Sequence, residues 1–295
     1  MSLHLQLPSP MQALPQLPNV DLWIKRDDLI HPVVSGNKWR KLAGFIQSLA
    51  PKTTVVTFGG AHSNHLAAAA TCLQSAGHHG VFVVRGDELK AYSSDVLRHC
   101  HQAGMQLRFI DRSAYRRLRE VAWQPSQQQR LDWQLPETYT LLPEGGSGSY
   151  NRLGCQHLWQ EIEAEGRPDH IWLAAGTGST ARGLLHAMPI NSTTHITVVS
   201  AVKGANQEAK ETTAVAKHRG IPLTWIDETT FGGFAKTNPQ LEQSRHAFQQ
   251  ATNIYLDPVY NAKVWWHLEH NQSPPSGKIV WIHTGGFRPP ITTTA

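Results

Sequence analysis

The sequence predicts an α/β protein with mostly parallel sheets, for three reasons. Seven short apolar runs rich in β-branched residues alternate with longer stretches of helix-favouring composition, as in repeated βα units. Several of these longer stretches begin at Asn, Ser or Thr, which cap helix N-termini. The chain has 295 residues, of which 40% are hydrophobic and 17% charged, so it is long enough to bury the core of two such sheets.

The strands and helices follow one another along the whole chain. Strands are predicted at Leu22–Lys25, Thr53–Phe58, Gly80–Val84, Gln106–Ile110, His170–Ala174, His195–Ser200 and Lys278–His283. Helices are predicted to begin near Asn37, Asn64, Ser93, Asn151, Thr180, Gln207, Pro239 and Asn261. This alternation favours three-layer α/β/α packing, with helices on both faces of each sheet.

A change in composition near the middle of the chain predicts two lobes. Residues 115–138 are rich in Gln, Arg and Pro, and the turn at Pro143–Ser147 follows them. We expect a larger lobe of residues 1–45 and 145–295 and a smaller lobe of residues 46–144. The tail after Gly286 is expected to add no regular element.

Composition argues against several classes of protein. The net charge is +5, but the basic residues are dispersed, which disfavours nucleic acid as a partner. No apolar stretch approaches the length of a bilayer span, and the first residues lack the pattern of an export signal, so a cytoplasmic protein is expected. Cys72, Cys100 and Cys155 form no CxxC pair and the 17 histidines form no HExxH motif, so neither a disulfide framework nor a metal site is expected.

Two motifs together predict pyridoxal phosphate. Lys38 lies in Ser35-Gly36-Asn37-Lys38, and a reactive amine can form an imine with the cofactor's aldehyde. The turn Gly176-Thr177-Gly178-Ser179-Thr180 lies between a strand and a helix, where free N–H groups and the helix dipole favour a phosphate. Its spacing matches neither GxGxxG nor GxxxxGK[ST], which disfavours nicotinamide cofactors and nucleoside triphosphates. Alone, the lysine could be a surface residue and the turn an ordinary βα connection.

Three further segments place polar groups where α/β sheets bind ligands. Ser63, Asn64 and His65 follow a strand and a double glycine, and with the amide donors there they could hold a substrate carboxylate. Helix capping alone could explain Ser63 or Asn64. Tyr260 at a helix start and Thr284 at a strand end are weaker signals, because a core contact and a turn would also explain them.

Taken in order, these motifs resemble the fold-type II, tryptophan synthase β-like pyridoxal-phosphate enzymes that include 1-aminocyclopropane-1-carboxylate deaminase and D-cysteine desulfhydrase. The resemblance extends over nearly the whole chain. Its motifs are Ile24–Leu29, Gly36–Leu42, Gly59-Gly60 with Ser63–His65, Pro143–Gly146, Gly176–Gly178, Asp257–Tyr260 and His283–Gly286.

The resemblance implies a role for each matching residue. Lys38 would bind the cofactor and then act as base at the substrate Cα, while Asn64 would donate to the cofactor's phenolic oxygen. The phosphate would be held by Gly176, Thr177, Gly178, Ser179 and Thr180, and Thr284 would approach the pyridine nitrogen. Ser63, Asn64, His65 and Tyr260 would face the substrate, with Ser63 and Tyr260 catalytic alongside Lys38. A homodimer is implied, with the cofactor between the larger, cofactor-binding lobe and the smaller, substrate-facing lobe.

Two departures from the deaminase pattern favour one reaction. Asn261 stands where the deaminases carry a carboxylate near the pyridine nitrogen, and Phe234 stands where a tyrosine is usual. A hydroxyl such as that of Thr284 stabilises a ring proton less than a carboxylate does. We therefore expect β-elimination from a D-cysteine-like amino acid, giving pyruvate, ammonia and sulfide, ahead of ring opening of 1-aminocyclopropane-1-carboxylate to 2-oxobutyrate and ammonia.

Two other readings stay open at this point. The same two departures would fit a pyridoxal-phosphate-binding protein with weak or no turnover. Ser35 and Lys38 also satisfy an SxxK motif, in which Ser35 would be the nucleophile of a serine hydrolase. The alternating βα pattern and the phosphate turn argue against that hydrolase.

Overall fold

The computed structural model describes residues 3–146, 148, 150–233 and 235–285, which form two mostly parallel sheets accompanied by helices. The strands are β1 (Met11–Ala13), β2 (Asp21–Lys25), β3 (Thr54–Gly60), β4 (His79–Arg85), β5 (Gln106–Ile110), β6 (Thr140–Leu142), β7 (His170–Ala175), β8 (His195–Ser200), β9 (Leu223–Asp227) and β10 (Lys278–Ile282). The helices are α1 (Asn37–Ser48), α2 (Asn64–Ser75), α3 (Asp95–Gln102), α4 (Arg112–Glu120), α5 (Gln127–Asp132), α6 (Asn151–Ala164), α7 (Ser179–Ala187), α8 (Asn206–Arg219), α9 (Pro239–Thr252) and α10 (Asn261–Glu269).

The α/β class predicted from the sequence is confirmed. Each predicted strand and helix is present, with ends within about two residues of those expected. The sequence reading missed β1, β6 and β9, and all three are edge strands of their sheets. An edge strand is buried less than a central one, so its sequence carries less of the apolar pattern that identifies a strand.

The two sheets take their strands from different parts of the chain. The larger sheet has the order β1-β2-β10-β7-β8-β9, in which only the β1–β2 pair is antiparallel. The smaller sheet has the order β5-β4-β3-β6 and is parallel throughout. The division of the chain into lobes at residues 45/46 and 144/145 stays a prediction. The tail after residue 285 lies outside the described residues.

A buried cluster of charges fixes α1, the helix that carries Lys38. The Arg40 guanidinium, only 1% exposed, donates to both carboxylate oxygens of Asp27 and to those of Glu161. The Lys25 ammonium lies 2.8 Å from Glu161 and donates to the Ser9 carbonyl. The cluster joins β2, the short turn after it, α1 and α6. Removing one partner would leave a buried charge uncompensated, so these helices have little freedom to shift.

The described residues contain neither a membrane-spanning helix nor a cluster of metal-binding side chains. They contain no helix long and apolar enough to cross a bilayer. In the same part of the chain, no group of three or more His, Cys, Asp or Glu side chains is arranged to hold a metal ion.

Candidate active site

Gly36 brings the start of α1 against the end of β10. Its φ is +59°, and a Cβ there would lie less than 3.0 Å from the Thr284 carbonyl oxygen, so this close approach requires glycine. The Gly36 amide donates to the Asp27 carbonyl at 2.8 Å, and the Asn37 amide donates to the Thr284 carbonyl at 3.0 Å. Lys38 is thereby placed in the first turn of α1, beside the carboxyl end of the larger sheet.

Lys38 lines a cavity at this edge of the sheet, and the surroundings of its amine favour the neutral form. Its Nζ donates to Asn37 Oδ1 at 2.8 Å. Burial lowers the pKa of Lys38 to about 8, and the negative charge of Asp257 partly offsets this effect. A neutral amine is the form that attacks an aldehyde or removes a proton.

The reaction of Lys38 with an aldehyde should therefore follow a titration near pH 8. With pyridoxal, which lacks the phosphate, the rate of covalent attachment is expected to rise as pH increases to about 8 and then to level off, because the neutral fraction grows as the pKa is crossed. Trapping with borohydride at each pH, followed by peptide mass analysis, measures this rate. A rate that still rises steeply between pH 9 and 10 would show an ordinary exposed lysine.

The turn before α7 has the features of an anion site. Gly178 adopts a left-handed conformation, with φ of +67°, at the N-cap of α7, and no side chain among the described residues caps that end. A Cβ at Gly178 would lie 2.9 Å from Arg182 Nη1 and from Thr212 Oγ1. The predicted phosphate residues line the same cavity as Lys38, namely Gly176, Thr177, Gly178, Ser179 and Thr180. The open helix end and their hydroxyls fit a phosphate group.

Lys41 is a second lysine in this cavity, and the sequence reading gave it no role. It lies one turn after Lys38 on the same helix face, and its Nζ is 3.4 Å from the Gly145 carbonyl. Burial and the neighbouring charges of Lys38 and Arg182 lower the pKa of Lys41 to about 7. An anion bound at the α7 turn would favour its protonated form. The three-residue spacing from Lys38 was the available sequence signal.

Tyr260 and Asp257 lie at the start of α10. Tyr260 lines the cavity, and a Cβ at Gly176 would lie 3.4 Å from its hydroxyl oxygen. Burial, with a smaller contribution from Asp257, raises the pKa of Tyr260 to about 12. The buried Asp257 carboxylate accepts from the backbone amides of Val259, Tyr260 and Asn261. Asp257 is thus the acidic group whose charge acts on Lys38, although the sequence reading assigned it no function.

Asn261 is held by groups that suit an amide rather than a carboxylate. Its Nδ2 donates to Asp257 Oδ2 at 2.6 Å and to the Gly285 carbonyl at 2.5 Å, and the residue is completely buried. A carboxylate here would face another carboxylate and a carbonyl oxygen, which would repel it. Thr284 and Gly285 line the cavity beside it. Phe234, the other departure from the deaminase pattern, lies outside the described residues.

Of the three neighbouring residues expected to face the substrate, Ser63, Asn64 and His65, only one lines the cavity. Asn64 lines the cavity, whereas Ser63 and His65 are not among its lining residues. The Ser63 hydroxyl caps α2 by accepting from the Leu66 amide at 3.4 Å, and His65 Nε2 lies 2.8 Å from Thr57 Oγ1. Part of the cavity wall was not anticipated from the sequence and comprises Pro32, Val33, Ala67, Asp95 and Val96.

Ser35 also lines the cavity, but its contacts do not suit a nucleophile. Its hydroxyl donates to the Asp28 carbonyl at 3.2 Å, while the Lys38 amine donates to Asn37. The pair required by the SxxK reading is therefore not formed, because a serine nucleophile needs its base within hydrogen-bond reach.

Known proteins resemble this chain in sequence and in fold. The chain is 28% identical over 310 residues to a mitochondrial bifunctional D-cysteine desulfhydrase/1-aminocyclopropane-1-carboxylate deaminase of Arabidopsis thaliana, covering 96% of this chain and 77% of the relative. The crystal structure of an ACC deaminase homologue superposes with a TM-score of 0.72 at 25% identity, covering 96% of this chain and 91% of the other. An L-serine ammonia-lyase from Rhizomucor miehei shares the fold at 12% identity, with a TM-score of 0.65 and coverage of 95% and 93%.

These similarities confirm the fold-type II resemblance predicted from the sequence. A family model described as pyridoxal-phosphate dependent enzyme matches residues 3–265, which is most of the chain. The chain therefore belongs to the pyridoxal-phosphate dependent enzymes.

Proposed function

We propose that this enzyme converts a small D-amino acid of the D-cysteine type, with water, into pyruvate, ammonia and sulfide. The observation that carries the proposal is a partly buried lysine of lowered pKa, Lys38, that shares one cavity with the open end of α7 and with Asn64. The name of the Arabidopsis relative, which joins a D-cysteine desulfhydrase and a deaminase, supports this substrate class.

Lys38 would remove the proton from the substrate Cα. When bound, pyridoxal phosphate disperses the negative charge that then develops at this carbon. Asn37 Oδ1 orients the amine, and the nearby Asp257 charge favours the ammonium once the proton has been taken. The acquired proton is then available for return to the reacting groups, so Lys38 would serve as base and subsequently as acid.

Other residues would bind the cofactor and the substrate. The α7 turn with Lys41 would hold the phosphate, and Thr284 would contact the pyridine nitrogen. Asn64 and the backbone amides at the start of α2 would hold the substrate carboxylate and the cofactor's phenolic oxygen. The apolar side chains of Val33 and Val96 leave a wall suited to a small thiol-bearing side chain.

Ring opening of 1-aminocyclopropane-1-carboxylate is the second candidate, and Tyr260 supports it. Its hydroxyl lines the cavity, and the raised pKa keeps it protonated at neutral pH, as an acid catalyst requires. We place this reaction second because Asn261 is bonded as an amide, which leaves a hydroxyl rather than a carboxylate as the candidate partner of the pyridine nitrogen.

A side-by-side product assay tests the proposal. The protein loaded with pyridoxal phosphate is expected to release pyruvate from D-cysteine faster than pyruvate from L-cysteine or 2-oxobutyrate from 1-aminocyclopropane-1-carboxylate. In the Tyr260→Phe variant, any 2-oxobutyrate release should fall further than pyruvate release from D-cysteine, because acid catalysis contributes about 10²–10⁴-fold.

Two outcomes would replace this assignment. Faster 2-oxobutyrate release by the wild-type protein would make the deaminase the principal activity. Cofactor uptake with no product from any of the three substrates would favour a pyridoxal-phosphate-binding protein without turnover. The homodimer and the cytoplasmic location stay predictions.

A further inference from the structure

His65 is buried beside the cavity with one ring nitrogen unused. The Thr57 hydroxyl donates to the Leu142 carbonyl at 2.8 Å, so its oxygen is left to accept from His65 Nε2, also at 2.8 Å. This pattern assigns the proton to Nε2 and makes Nδ1 an acceptor. Nδ1 is buried and has no hydrogen-bond partner among the described residues. A buried acceptor without a donor is unfavourable, so a hydrogen-bonding role for Nδ1 is expected.

The unused nitrogen faces the Gly145–Gly146 turn and α1. A Cβ at Gly146 would lie 3.6 Å from His65 Nδ1 and 3.6 Å from Lys41 Cβ, which places the imidazole and the base of the Lys41 side chain around one glycine. Burial and then the charges of Lys38 and Lys41 lower the pKa of His65 to about 3. The ring therefore stays neutral at physiological pH, and Nδ1 keeps its lone pair.

We propose that His65 is a positioning residue whose Nδ1 accepts a hydrogen bond from the Lys41 ammonium and aims it at the cofactor phosphate. The proposal rests on the cofactor site described above. An ammonium has three donors: the Gly145 carbonyl offers one acceptor at 3.4 Å, the phosphate would offer a second, and Nδ1 would offer the third. The other titratable groups acting on Lys41 are Lys38, Arg182 and Cys155, and the first two repel its positive charge.

Two substitutions of His65 separate its two nitrogens. The amide of His65→Gln can replace Nε2 and keep the donor to Thr57, but it leaves Nδ1 without a substitute. The shorter His65→Asn places its amide near Nδ1 and loses the Thr57 contact. Binding of pyridoxal phosphate and of inorganic phosphate should weaken roughly tenfold in His65→Gln and much less in His65→Asn.

The pH dependence of phosphate binding distinguishes this positioning role from a purely structural one, which would leave it unchanged. Phosphate binding is expected to weaken as pH rises and Lys41 loses its proton. Loss of the Nδ1 acceptor should destabilise the Lys41 ammonium and so lower its pKa. In His65→Gln, phosphate binding should therefore weaken about one pH unit lower than in the wild type. Binding of pyridoxal, which lacks the phosphate, should change little. Equal losses in the two His65 variants, with both folded by thermal melting, would overturn the proposal.

A Lys41→Met background provides the remaining control. If His65 acts through Lys41, adding His65→Gln to Lys41→Met should weaken phosphate binding no further. A further tenfold loss in that background would show that His65 only supports the packing. If the wild type takes up no pyridoxal phosphate, the proposed function fails and this inference fails with it. If the wild type binds the cofactor and His65→Gln matches its affinity and pH profile, this inference alone fails.

Discussion

Replacing Lys38 with alanine is expected to lower turnover of D-cysteine by at least about 10²–10⁴-fold, because the base at the substrate Cα is lost. The cofactor should still bind through the α7 turn and Lys41, but borohydride should no longer attach it covalently. Product assays and the mass of the borohydride-treated protein measure the two effects separately.

The same variant offers its own controls. Added methylamine should restore part of the turnover, because removal of the Lys38 side chain leaves room for a small amine in the cavity. Thermal melting should show a folded protein, because the Lys38 amine donates only to the adjacent Asn37 in the described structure. Retention of wild-type turnover would exclude Lys38 as the base.

The substitution Gly36→Ala is expected to reduce the free energy of unfolding by about 2–5 kcal/mol, combining a left-handed backbone cost with overpacking. The added Cβ would overlap the Thr284 carbonyl oxygen, which is backbone and cannot swing away. The contact between the start of α1 and the end of β10 must then open, so cofactor affinity should fall together with stability. Urea unfolding with an unchanged slope, combined with cofactor titration, measures both effects.

Gly104→Ala is the matched control for this substitution. Gly104 also has a positive φ, +81°, but a Cβ there would meet no atom within 4 Å. Its loss of stability should be limited to the backbone cost of about 1–2 kcal/mol, with cofactor affinity unchanged. Equal losses of stability in the two variants would show that the close approach of Gly36 to Thr284 does not contribute to stability.

The central strands and the principal helices could be predicted because their local sequence patterns match their burial and capping in the fold. Strands buried on both faces, such as β3, need near-continuous apolar runs, and α2 needs a capping serine before its alanines. Helices α4 and α5 were missed because polar residues dominate their sequences; α5 has no buried residue and α4 buries only a narrow face. In α4 that face consists of Ala114, Tyr115 and Leu118.

The candidate site could be proposed from the sequence where one local motif carries the whole signal. The α7 turn combines glycines, hydroxyls and a helix start within five residues, so it could be proposed as an anion site without knowing the fold. The wall formed by Pro32, Val33 and Val96 depends on packing between segments far apart in sequence, and no local pattern reveals it. Lys41 and Asp257 belong to an intermediate class, because their motifs were recognised but their electrostatic roles depend on burial.

The order of strands in the larger sheet has a consequence for how the protein is made. The strand β10 is central to that sheet, between β2 and β7, and Thr284 lies two residues after its end. While the chain is being synthesised, β2 and β7 have no partner on their facing edges until residues 278–282 have emerged from the ribosome. The Gly36–Thr284 contact can form only after residue 284 has also been translated, and until then the nascent chain exposes two unpaired strand edges.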